Sequence, residues 1–265
     1  LAYNPSAVQG TDDFFKYSVD VNGITDQKSS GRCWMFTSMN QLRPLVMKKY
    51  NIKNFDFSHN YSYFYDVLEK ANLFLENVIA TSNKPFGERA VDELFKSPVG
   101  DGGVWNQTVK TTPQEFYKSI IPADYNSKDY VMIMNDPTRE YYKIYEIDNY
   151  RNTMEGINWT YLNLPNDDIK KAAVASIKAG EPMYASCDVG KQSNTQAGVG
   201  YMDPGIYNYG QLLGVNLDMD KKARILTRQS GSSHAMLIVA VDTDENDTPL
   251  KWKFENSWGL LVVEG

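Results

Sequence analysis

The chain has 265 residues, 42% hydrophobic and 13% aromatic, with a formal net charge of −6. That supplies core for one two-lobed domain or two small ones, and the acidic balance argues against a nucleic-acid partner, since phosphate contacts need concentrated Lys and Arg. No apolar run reaches the ~18 residues of a membrane-spanning helix, and two cysteines far apart, Cys33 and Cys187, form neither a disulfide framework nor a metal-binding pair.

In chain order, residues 1–23 mix polar and apolar side chains without a clear period and read as an arm laid over the body. Next comes D-Q-K-S-S-G-R-C-W-M-F, residues 26–36. Gly31 permits a tight approach, and 33–42 contain neither Gly nor Pro, so a buried helix is predicted there, kinked or ended at Pro44. Cys33 then stands at the helix N-terminus, where the dipole favours thiolate. Gln27, shortly before it, is placed to turn its amide toward an oxyanion. Residues 55–65 are rich in aromatics and include His59; 66–80 carry Val67, Leu68, Ala71, Leu75 and Val78 near helical spacing. Pro85-Phe86-Gly87 breaks that pattern, 88–96 read as a short amphipathic helix, and Asp101-Gly102-Gly103 as a tight turn.

Residues 129–134 and 141–149 look strand-like or mixed. Pro165-Asn166-Asp167-Asp168 starts a helix, with Asn166 as cap and Ile169, Ala172, Ala173 and Ile177 as its apolar face, ended at Gly180. A strand over 181–189, a loop to Gly214, and strands over 235–242 and 252–255 complete the chain. Helices first and strands later argue for an α+β fold with segregated lobes.

A nucleophilic thiol needs a base, and the chain has two histidines. His59 sits among aromatics with no carboxamide following at a useful position, which favours a structural role. His234 heads the apolar run A-M-L-I-V-A-V, and Asn256 follows the next strand, from which it can set the tautomer and orientation of the ring. Free cysteines are more often small buried hydrophobes than nucleophiles, and Cys187, in M-Y-A-S-C-D, is read that way.

The ordered set Q-K-S-S-G-R-C-W, S-H-A-M and E-N-S-W-G resembles the papain-like cysteine peptidases, and S-S-G-R-C-W resembles their bleomycin hydrolase and aminopeptidase C branch. Further similar blocks are F-S-H-N-Y, L-E-K-A-N-L-F-L-E, D-G-G-V-W-N and C-D-V-G-K. The resemblance implies a papain-like two-lobed domain: a helical lobe over about 24–165, a β lobe over about 166–265, and the arm 1–23. It implies a catalytic set of Cys33, His234, Asn256 and Gln27, with substrate contacts from Gly102, Gly103, Trp34 and Trp258. Glycines there would let an extended peptide approach the backbone closely.

It further implies no metal or organic cofactor, peptide substrates, aminopeptidase action on short peptides, a homohexamer with its sites facing an internal cavity, and a cytoplasmic location, with export left open because the sequence starts at Leu1. Two features of that branch are not seen in this sequence. A long helical insertion is expected after D-G-G-V-W-N, where T-P-Q-E-F-Y follows almost at once, and an arm reaching into the cleft is expected beyond N-S-W-G. An endopeptidase, and a non-catalytic peptide-binding member of the fold, therefore stay open at this point.

Overall fold

The computed structural model describes residues 12–96, 98–100, 121–123, 125–148, 150–151, 156–190, 193–194, 201–202, 208–216 and 219–259. Its first long element, α1 (Cys33–Tyr50), buries Trp34, Met35, Phe36, Met39, Leu42 and Val46. The helix passes through Pro44 rather than ending or breaking there. Proline removes one backbone donor, but Leu42, Arg43 and Val46 on either side are all buried, and that packing carries the helix on for another turn and a half. It stops at Asn51, whose left-handed backbone (φ 51°) returns its N–H to Lys48 O.

Helix α2 (His59–Ala80) takes in much of the aromatic stretch as well as the predicted helical one. It docks on α1 through His59, whose ring stacks on Phe36 with centroids 3.8 Å apart, so His59 is structural, as its sequence context suggests. Helix α3 (Arg89–Lys96) turns back and buries Val91.

The second half is organised on a ten-residue strand. β8 (His234–Thr243) pairs on one edge with β9 (Pro249–Glu255) and on the other with β5 (Met183–Cys187) and β1 (Tyr17–Ser18). It packs against both α1 and α4 (Asn166–Lys178), and so reads as a nearly continuous apolar run instead of alternating. Part of the expected N-terminal arm is therefore a strand of the main sheet. Tyr17 and Val19 join the core formed by Val174, Ile177 and Val241, and Val19 N–H donates to Val239 O at 2.8 Å.

A smaller sheet holds β2 (Ile133–Met134) parallel to β4 (Trp159–Asn163), with β3 (Lys143–Ile147) antiparallel on the other edge. The sequence pattern does not announce β4. Its anchor is Asn163, fully buried, whose amide bonds the backbone of Asp136, Arg139 and Glu140. The expected loop up to Gly214 contains β6 (Ser193–Asn194), β7 (Tyr201–Met202) and α5 (Tyr209–Leu213), and α6 (Lys221–Leu226) follows. These elements are too short to carry a period.

Candidate active site

Cys33 is the first residue of α1, so its sulfur lies at the positive end of that helix. His234 is the first residue of β8, and the β8–β9 pairing places Glu255 opposite Leu237, so Asn256 leaves the sheet beside the imidazole. The contact is direct: His234 Nε2 and Asn256 Oδ1 are 2.7 Å apart. The same Oδ1 accepts the Ser257 N–H at 2.8 Å, which fixes the amide's orientation and makes Nε2 the donor. The other ring nitrogen is left for the Cys33 thiol, whose interaction with the ring favours the charged imidazole.

The electrostatics of the two groups agree. Burial pushes the Cys33 thiol up, but the hydrogen bond from His234, backbone N–H groups of Ala235 and Trp34, and the imidazolium charge bring it below its ordinary value. Burial pulls His234 down, yet the bonds to Cys33 and Asn256 and the thiolate charge carry it above an ordinary imidazole. Opposite shifts describe a thiolate–imidazolium pair. Trp258 stacks on the imidazole, centroids 4.6 Å apart, and shields it from water on that side.

Gln27 is 5% exposed and held from three directions. Its backbone N–H donates to Ser257 O at 2.7 Å, its Oε1 accepts from Ser257 Oγ at 2.6 Å, and its Nε2 donates to Ser30 O at 2.5 Å. One Nε2 hydrogen remains for an oxyanion. Ser257, 1% exposed, is a residue the sequence reading missed. Its only signal was its place inside N-S-W-G. The two segments also meet at an Asp26–Trp258 bridge, with Gly259 N–H donating to Thr25 O at 3.0 Å. Gly259 has φ +72°, a left-handed backbone that favours glycine, and a Cβ there would also press on the Asp26 side chain, 2.8 Å from its Oδ2.

The other expected site residues fall differently. Trp34 is 3% exposed, packed with Met35, Phe36 and Met39, and capped by Lys70 Nζ 5.0 Å from its ring, so its surface is spent on the core. Gly102 and Gly103 lie outside the described residues. Cys187 is only partly buried, and its thiol is pushed up by burial and by Asp188. Tyr184 on β5 is a further neighbour that no motif announced; burial and the nearby Cys33 charge both push its phenol up.

A thiol, an imidazole and a carboxamide, drawn from opposite ends of the chain, are accompanied by a match to the model of the Peptidase C1-like family over residues 1–111 and 106–261. The chain belongs to that family. Curated relatives include aminopeptidase C of Lactobacillus delbrueckii subsp. lactis, 28% identical over 94% of this chain and 76% of its own. Mouse bleomycin hydrolase is 28% identical over 96% of this chain and 78% of its own. Among solved structures, PepW from Lactobacillus rhamnosis HN001 superposes with a TM-score of 0.89 at 27% identity, covering 97% of this chain and 78% of that one.

The α+β architecture is thus that of a papain-like cysteine peptidase. The alignment to aminopeptidase C runs over 345 positions against a chain of 265, so the relatives carry residues that have no counterpart here. The seam between the two matched stretches, at 106–111, lies just beyond the D-G-G-V-W motif.

Proposed function

We propose that this cysteine peptidase is an aminopeptidase that releases N-terminal residues from short peptides through a thioester on Cys33. The observation that carries the reading is the His234 imidazole, held by Asn256 at 2.7 Å and acting on the Cys33 thiol so that the two groups shift in opposite directions, with Gln27 fixed by Ser257. The Cys33 thiolate attacks the scissile carbonyl, and the negative charge that develops on its oxygen is met by the free Nε2 hydrogen of Gln27 and the Cys33 backbone N–H. The His234 imidazolium then gives its proton to the leaving amine. Neutral His234 next takes a proton from water, which attacks the thioester and frees the thiol. Asn256 keeps one ring nitrogen occupied throughout, so the other always faces sulfur.

The finer points rest on the family. The name of the relative aminopeptidase C supports removal of terminal residues, and the resemblance supports a homohexamer, a cytoplasmic setting and backbone pairing of substrate with Gly102 and Gly103. No helix among the described residues is long and apolar enough to cross a membrane. The test compares fluorogenic peptides with a free and an acetylated N-terminus, using Cys33→Ala as control. Hydrolysis confined to the free-amine substrate, and lost in the control, is expected. Equal rates on both substrates would establish an endopeptidase instead.

A further inference from the structure

One helix face carries more than the nucleophile. Asn40 lies about two turns beyond Cys33 and Arg43 close to a third, so all three project toward β8 and β9. Arg43 is 2% exposed. Its Nε donates to Val21 O at 2.8 Å, its Nη1 to Asn40 Oδ1 at 3.3 Å, and its Nη2 to Gly23 O at 3.1 Å and Glu255 Oε1 at 2.8 Å. Asn40 Nδ2 donates to Thr25 Oγ1 at 2.8 Å and to the same Glu255 Oε1 at 2.9 Å.

Glu255 is the last residue of β9 and the covalent neighbour of Asn256. Thr25 is two residues before Gln27, and its carbonyl receives the Gly259 N–H. The helix that bears the thiol and the strand that delivers the imidazole's partner therefore meet at a single carboxylate oxygen, and the segment that leads to Gln27 is tied to the same two helix side chains, Asn40 and Arg43, through Val21 O, Gly23 O and Thr25 Oγ1.

Stability alone is a poor reason for this cluster. Removing two charges from water costs several kcal/mol per ion, and a buried pair is commonly matched or bettered by apolar side chains of like volume. Burial pushes the Glu255 carboxyl up and Arg43 opposes it, while Oε2 has no hydrogen-bond partner among the described residues. What directional bonds supply that an apolar patch cannot is a unique register.

We propose that Arg43, Asn40 and Glu255 are positioning residues for the peptidase reaction, setting where Asn256 and Gln27 stand relative to Cys33. They act only through those groups and touch no substrate. The proposal rests on the thiol-peptidase reading above and deepens it.

The test is the double variant Arg43→Met/Glu255→Leu in the full chain, which removes both charges while keeping bulk. Melting at or above the parent temperature is expected. With KM within about 2-fold, kcat should fall at least ~10-fold, since small misplacements of reacting groups are expensive. Alkylation of Cys33 by iodoacetamide should slow ~5-fold or more near pH 6 yet converge with the parent near pH 9.5, where the thiol ionises unaided.

A folded double variant with parental kcat and a parental alkylation profile overturns the proposal, whatever its melting temperature. If that variant does not fold, Glu255→Gln, which keeps the shape and one acceptor, decides: a kcat about 3-fold lower with the same alkylation trend supports positioning, and parental values refute it. Alkylation needs no substrate, so it still reads the cluster if the wild-type chain proves unable to release N-terminal residues.

Discussion

Replacing Asn256 with alanine removes the acceptor 2.7 Å from His234 Nε2 without touching the sulfur. A hydrogen bond to a charged partner contributes roughly 1.5–3 kcal/mol, which at about 1.4 kcal/mol per pKa unit is one to two units. The sign follows from which form the bond favours. Asn256 accepts from the ring N–H and so raises His234; its loss lowers the imidazolium pKa and moves the alkaline limb of kcat/KM to lower pH. A ring that is less often charged holds thiolate less well, so Cys33 moves up toward an ordinary thiol and the acid limb moves to higher pH. The bell in kcat/KM narrows from both sides, by about one unit or more on the alkaline limb, and its plateau falls ~10-fold or more. Kinetics across pH on a free-amine fluorogenic peptide read all three quantities. An Asn256→Ala enzyme with both limbs unmoved would show that the imidazole is oriented by something else, and the orienting role assigned to this amide would be withdrawn.

Gln27→Ala should lower kcat ~100- to 1000-fold with little change in the alkylation rate of Cys33, because its free Nε2 hydrogen meets charge that exists only during acyl transfer; steady-state kinetics beside an iodoacetamide time course check the split. Cys33 and Cys187 are pushed in opposite directions, so at neutral pH iodoacetamide should modify Cys33 at least ~10-fold faster, read by peptide mass mapping. Equal labelling would contradict the ion pair. Leu237 is 0% exposed and faces Tyr184 and Glu255 in register, so Leu237→Ala should cost ~2–5 kcal/mol in denaturant unfolding.

Much of the site was legible in the residues. A cysteine opening a stretch free of Gly and Pro, a histidine heading an apolar strand and an asparagine just past the following strand are local patterns: the first two became the opening residues of α1 and β8, and the third lies one residue beyond β9. What no pattern contains is which polar groups end up buried against each other. Ser257 holding Gln27, and Glu255 receiving Arg43 and Asn40, join residues more than two hundred positions apart. Their partners exist only once α1 lies against β8 and β9.

The same cause explains the local expectations that gave way. Pro44 carries an intrinsic penalty that neighbouring burial outweighs. Tyr17 and Ser18, without a readable period, become a strand because β8 offers an open edge there. Trp34 turned inward, against a core that its own sequence neighbours only partly supply. Local propensity and motif therefore marked the candidate side chains and most of the elements that carry them. The packing of distant segments decided how those side chains are held, because desolvation and hydrogen bonding act on spatial neighbours, whatever their order in the chain.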